Sequence, residues 1–280
     1  MKQKNDNLYK YSVQKPWEFI IVTVMYVIGA VSFPPNTFSF IFGNSKNAEL
    51  LSLFLIRALC CIIPIWLMIS IRVNQFFTAK NLIGGLIVII PFLLVAINNF
   101  PIVSLIQEKL RFEDSIGAVN WICYLLAVLG GVVLEEVCFR GLIFPTLLRK
   151  FKQNESGKAF FNANFKAVLY SSAIFGAVHI VNLLNGGGVG ATFVQIGYSF
   201  LIGAMCAIAF LKTGNFYHTV LLHFIYNVGG LLSTHDMIVG KIWTVWQVVI
   251  TAVLAIIVLL YAIYILQFKD NNKLLERLEK

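Results

Sequence analysis

The sequence predicts an all-α, polytopic membrane protein of about eight transmembrane helices, and three observations carry that prediction. Of its 280 residues, 59% are hydrophobic and only 12% are charged, with a mean hydropathy of +0.81. Soluble domains carry about 25% charged residues, so too little polar surface exists here to coat a globule in water. The apolar residues also fall in long runs separated by short charged segments. In a bilayer the backbone must satisfy its own hydrogen bonds, so runs without a two-residue alternation are expected to be helices rather than barrel strands. Third, the lysines and arginines are distributed unevenly between the two sets of connecting segments.

Runs long enough to cross about 30 Å at 1.5 Å per residue fall at roughly 17–34, 50–71, 82–98, 117–148, 167–184, 192–211, 216–232 and 243–268. The first follows a basic stretch. Its length, aromatic content and lack of a small-residue cleavage site argue for a retained helix rather than a signal peptide. The fourth is overlong for a single crossing and is expected to tilt or to continue into the cytoplasm. A basic loop, 149–166, joins the fourth and fifth. No soluble domain, long-period repeat or low-complexity linker interrupts the series, so residues 1–280 are expected to form one membrane-embedded domain.

With the N-terminus inside, the cytoplasmic segments hold sixteen lysines and arginines, among them Lys80, Arg149, Lys150, Lys152, Lys158, Lys166, Lys212, Lys269, Lys273, Arg277 and Lys280. The outer segments hold only Lys46, Lys109, Arg111 and Lys241. Both termini are therefore expected to be cytoplasmic. The net charge of +9 reflects this topology and not a nucleic-acid partner, because the positive charge sits at the ends of the runs. Trp17, Trp66, Trp121, Trp243 and Trp246 lie near predicted ends and fit an aromatic belt. Cys60, Cys61, Cys123, Cys138 and Cys206 all lie within apolar runs, without the spacing of a zinc site or a disulfide frame, and read as small buried hydrophobes.

Ionisable groups at membrane depth cost at least ~2.5 kcal/mol each, so they tend to face a bundle interior or a wet cavity. Arg57, Glu135, Glu136, Arg140, His179 and His223 qualify. Glu136 and Arg140 stand four apart and are expected to pair on one helix face. Glu135 points about 100° away, free to meet a group on another helix. The competing reading takes both glutamates as structural ion-pair partners and His179 as a hydrogen-bonded packing residue. Depth argues for a site. Measured from Arg149, Lys166 and Lys212, Glu135, His179 and His223 lie roughly 21, 20 and 17 Å in from the cytoplasmic side. A carboxylate with an imidazole is suited to activating water. His223 and Asn227, again four apart, are suited to stabilising an oxyanion. Gly203 and Ala207 form a small-xxx-small step that permits close helix approach. Arg57 has no helical partner and is expected to meet a carbonyl or a lipid phosphate. His218, His235 and Asp236 are expected to be solvated.

At these residues the sequence resembles the CPBP family of CAAX-protease and bacteriocin-processing (Abi) membrane peptidases. Its EExxxR motif is matched by Glu135, Glu136 and Arg140, its FxxxH motif by Phe175 and His179, and its HxxxN motif by His223 and Asn227. The resemblance covers about 130–230, within a core expected at about 117–232. It implies an intramembrane endopeptidase acting on a membrane-associated peptide or protein that enters from the membrane or cytoplasmic side; the lysine- and asparagine-rich composition adds the expectation of a multi-pass protein of a bacterial cell membrane. By the resemblance, Glu135 and His179 activate water, His223 and Asn227 stabilise the oxyanion, and Glu136, Arg140 and Phe175 support the site. The family is often labelled metalloprotease, and Glu135, His179 and His223 could hold zinc or another divalent metal with one position open. No H-E-x-x-H helix is present, and a glutamate acting as both ligand and base leaves one role unfilled. The expectation is therefore a cofactor-free, glutamate-dependent hydrolase. Two further readings remain: a non-enzymatic bacteriocin immunity or scaffold protein, and a proton-coupled transporter, which lacks support from inverted repeats or paired broken helices.

Overall fold

A computed structural model describes residues 2–73, 82–153, 162–184, 186–240, 244–268, 274 and 278. Lys80, Lys158, Lys241, Trp243, Lys269, Lys273, Arg277 and Lys280, used above for topology or the aromatic belt, lie outside the described residues, as do the side chains of Lys2 and Lys4.

The chain is an integral membrane protein built almost wholly of helices. In order these are α1 (Lys2–Gln14), α2 (Pro16–Val31), α3 (Ser39–Phe42), α4 (Lys46–Cys60), α5 (Ile62–Ser70), α6 (Leu82–Asn98) and α7 (Ile102–Ile106), followed by a short strand β1 (Leu110–Phe112). Then come α8 (Ala118–Glu136), a π-helical turn (Val137–Ile143), α9 (Phe144–Gln153), α10 (Ala163–Val178), α11 (Val181–Leu184), α12 (Val189–Thr213) and α13 (Phe216–Gly230). Strand β2 (Ile238–Gly240) and α14 (Val245–Phe268) follow. Local chemistry sets several boundaries. Ser45, Asn162 and Asn215 cap α4, α10 and α13 by accepting a hydrogen bond from a first-turn amide. Gly214 ends α12 with φ +57°, a left-handed backbone that glycine adopts freely.

Each of the eight expected crossings coincides with a helix, but among the described residues only five are long and apolar enough to span alone: Lys46–Ser70, Ala118–Gln153, Ala163–Leu184, Val189–Thr213 and Val245–Gln267. Helices α2 and α6 are apolar but shorter, and α13 has 15 residues. Counting apolar residues overestimates such helices. Ser32 and Phe33, counted in the first run, already lie in the turn after α2. The overlong fourth run is one 36-residue helix; its stretch Val137–Leu148 is buried inside the bundle, and its last residues, Lys152 and Gln153, are exposed.

Lipid offers no hydrophobic drive for helices to associate, so small residues and polar bonds must do so. Gly176 and Gly203 bring α10 and α12 together: a Cβ on Gly176 would lie 2.8 Å from the Ile196 carbonyl oxygen, and one on Gly203 would lie 3.1 Å from the Phe175 ring. Gly130 and Gly131 do the same for α8 against α4, facing Phe54 and Arg57. Gly85 of α6 receives the His218 ring, whose Nε2 donates to the Leu82 carbonyl at 2.8 Å. His218 is therefore buried and not solvated as expected, because a glycine on the facing helix opens a socket for it. His235 is half-buried, its ring 5.6 Å from that of Tyr124, where a solvated residue was expected. Asp236 is exposed and paired with Lys46 at 2.9 Å. Trp17, Trp66 and Trp246 are exposed. Cys61, Cys123, Cys138 and Cys206 are buried free thiols and Cys60 is partly buried. Antiparallel pairing of β1 with β2, Leu110 opposite Gly240 and Phe112 opposite Ile238, joins the segments that flank helices α8 to α13.

Candidate active site

The polar residues singled out by spacing converge between α8, α10, α12 and α13, and Glu136 lies at the centre. It is fully buried. Its Oε1 meets Arg140 Nη1 at 2.9 Å, as the four-residue spacing predicts, and accepts a second bond from His223 Nδ1 at 2.8 Å. Arg140 Nη2 donates to the Gly203 carbonyl at 2.9 Å, and its guanidinium lies 4.7 Å from the Phe175 ring centroid. A buried ion pair is tolerable when each partner has further bonds, and here those bonds tie α8, α12 and α13 together. The π-helical turn begins at the residue after Glu136. Such turns are local insertions in an α-helix, frequent at functional sites.

Phe175 is a hub. Its ring packs edge-on against Phe139 at 4.8 Å, His179 at 5.4 Å and His223 at 5.6 Å. Its carbonyl accepts a 3.0 Å bond from His179 Nδ1. A backbone acceptor at Nδ1 fixes the tautomer that leaves Nε2 unprotonated. At His223, a carboxylate on Nδ1 has the same effect. Its Nε2 accepts from the Asn227 amide at 3.1 Å and lies 3.6 Å from Glu135 Oε2. Glu135, by contrast with its neighbour, is 21% exposed at the side chain.

That exposure opens into a cavity of about 220 Å³, lined by Glu135, His179, His223 and Asn227 together with Arg57, Gln195, Asn182, Tyr198 and Tyr226. The structure thus brings all four predicted catalytic residues to one cavity, with Glu136 and Arg140 behind it and Phe175 in its wall. Sequence reasoning missed the rest of the lining. Arg57 Nη1 donates to the Ala127 carbonyl at 3.1 Å, one of the two partners expected for it, but its place beside the Glu135 cavity had no signal in the sequence. Asn182 donates to Gln195 at 2.7 Å; both are polar residues at the ends of apolar runs, where they read as ordinary interface residues.

A catalytic zinc requires three protein ligands. Both ring nitrogens of His223 are already engaged, leaving Glu135 and His179 Nε2 as donors toward the cavity. Among the described residues, no group of three or more His, Cys, Asp or Glu is arranged to hold a metal ion. The donor set in this arrangement therefore does not fit a zinc centre at Glu135, His179 and His223.

Residues 117–229 match the family model of Rce1-like type II CAAX prenyl endopeptidases. No curated protein and no solved structure matches the chain.

Proposed function

We infer that this chain, whose residues 117–229 match the family model of Rce1-like type II CAAX prenyl endopeptidases, hydrolyses a peptide bond of a membrane-associated polypeptide with a water activated by Glu135 and His179. The observation that carries this reading is the shared cavity, in which an incompletely buried carboxylate faces two imidazoles whose Nδ1 atoms are both tied down.

Water held between Glu135 and His179 Nε2 loses a proton to the carboxylate and attacks the scissile carbonyl. The C–N bond then breaks as the same proton passes to the leaving amine. The developing oxyanion accepts an N–H from Asn227, whose amide carries two donors and spends one on His223. An oxyanion donor of this kind contributes about 2.7–4 kcal/mol to the transition state. His223, expected to share this task, has Nδ1 bonded to Glu136 and Nε2 accepting from Asn227, so in this scheme it orients the amide and donates nothing to the oxyanion. Glu136 and Arg140 touch no reacting atom in this scheme. They hold the His223 ring and the α12 backbone where Asn227 needs them.

The decisive experiment is cleavage of a fluorogenic membrane-peptide library by purified protein. Glu135→Gln and His179→Ala are expected to lower turnover by at least 10²-fold while melting like wild type. Cleavage that survives Glu135→Gln would end the proposal, and retention by both variants of a protective or scaffolding phenotype would favour the non-enzymatic reading. Since the donor set does not fit zinc, activity is expected to persist after stringent chelation with metal content measured alongside. Loss of activity that added zinc restores would overturn the metal-independent scheme.

A further inference from the structure

Among the described residues that line the catalytic cavity, Arg57 is the one cation and Glu135 the one carboxylate. A guanidinium at membrane depth is costly unless it is paired or meets water. The same bundle contains an arginine for which that cost is met within the protein. Arg140 has the Glu136 carboxylate at 2.9 Å and the Gly203 carbonyl at 2.9 Å. Arg57 has a carbonyl but no counter-charge. Its Nη1 donates to the Ala127 carbonyl at 3.1 Å, and among the described residues no carboxylate forms an ion pair with it, Glu135 being paired with His223 and Glu136 with Arg140 and His223.

The bond to Ala127 does not itself require a charge. A neutral amide side chain could donate to the same carbonyl and brace α4 against α8. A guanidinium carries five N–H donors, and this bond spends one of them. Arg57 is only half-buried, so the others are within reach of whatever occupies the cavity. Gly131 keeps the room it needs, since a Cβ there would lie 3.0 Å from Arg57 Nη1.

The helix places this charge relative to the reacting groups. Gly131 and Glu135 stand four residues apart on α8, on one face and about 6 Å apart along the axis. Glu135 acts on Arg57 electrostatically, although the two are not paired. About one helical turn therefore separates the fixed positive charge from the carboxylate that activates water. An extended polypeptide crosses that distance in about two residues.

We propose that Arg57 is a specificity-determining residue of the catalytic cavity and binds a carboxylate of the substrate, a free C-terminus or an acidic side chain, close to the bond that is cut. The planar guanidinium offers its N–H groups as a fork that matches a carboxylate, and the bound carboxylate supplies the counter-charge that the protein does not. The cut rests on the peptidase reading, whereas the recognition rests on Arg57.

Matched peptides test the two separately. A fluorogenic, acyl-anchored peptide library without Asp or Glu is prepared as the C-terminal acid, as the C-terminal amide, and as the amide with one Asp at each position in turn. Wild-type protein is expected to cleave a carboxylate form at least tenfold better in kcat/KM than the plain amide, as loss of a charge-assisted bond implies. A preference for the acid assigns the anchor to the C-terminus, and one for an Asp peptide assigns it to a side chain. Arg57→Gln is expected to bring the ratio close to one, and Arg57→Lys, which keeps the charge without the fork, to hold only part of it. A role confined to bracing α4, or to keeping Glu135 ionised, would lower cleavage of every form alike and leave the ratio intact. A wild-type ratio near one, or a ratio that survives Arg57→Gln, overturns the proposal. Where Arg57→Gln does not fold, an undiminished ratio in Arg57→Lys overturns it instead. Binding of the same peptides to Glu135→Gln protein is followed by fluorescence anisotropy. Without Glu135-dependent cleavage of any form, the peptidase reading falls. Tighter binding of a carboxylate form that Arg57→Gln removes would then retain the recognition, and equal binding of all forms would remove that as well.

Discussion

Two adjacent glutamates have opposite tasks because one helical step separates their surroundings. Glu136 is enclosed, with Arg140 and His223 on the same oxygen, and Glu135 looks into the cavity. Removing the charge of Glu136 leaves the Arg140 guanidinium buried without its counter-charge, a situation that costs about 3–5 kcal/mol. Glu136→Gln is therefore expected to lower the melting temperature in detergent far more than Glu135→Gln does. The double variant Glu136→Gln/Arg140→Met should recover part of the loss, since no orphaned charge remains. Equal melting of the two single variants would show that the buried pair does not organise the site. The pairs Glu136/Arg140 and His223/Asn227 were legible in the sequence, because a four-residue spacing fixes a common face before any tertiary structure exists. The placement of Arg57 beside the cavity was not legible, because its carbonyl partner Ala127 lies 70 residues away and the two meet only once α4 and α8 have docked.

At the scale of elements, the site depends on how closely α10 and α12 approach. Gly176 faces the Ile196 carbonyl, and a backbone oxygen has less room to yield than a side chain. Gly176→Val is expected to destabilise by about 1–3 kcal/mol and to depress turnover as well, because His179 lies less than one turn further along the same helix. Unchanged melting and turnover would mean that the helices can part without consequence. The small-xxx-small step at Gly203 was visible in the sequence, and its carbonyl as an acceptor for Arg140 was not. The π-helical turn following Glu136 had no sequence signature at all, since an inserted residue changes the phase of a helix without changing its composition. Span lengths were the other shortfall. Helix α13 is short because its neighbours, not lipid, cover much of it: Phe216, His218, Thr219, Leu222 and His223 are all buried, so hydropathy alone overstates its reach.

Over the whole molecule, the connection after α13 carries its own pH response. Burial against Tyr124, together with the nearby positive charges of Arg57 and Lys46, pushes His235 down to about 4. The unfolded chain then takes up this proton first, near 6.5, so folding loses stability as pH falls from about 6.5 to about 4, and the contribution is intact above that window. The loss is at most about 3 kcal/mol. It should appear as a falling melting temperature between those pH values that His235→Gln flattens. A wild-type melting temperature constant across that range would contradict the burial. Asp236, held below its usual range by the Lys46 hydrogen bond, adds a further loss only at lower pH, as its own proton is taken up.

The three-residue pairing of β1 with β2 has a topological consequence. It brings residues 110 and 240 side by side, so the intervening chain forms a loop whose ends are already fastened. The helices α8 to α13 thus have their two ends held in register by a contact of their own. Neither end of the α8–α13 run can move away from the other without first parting these two strands.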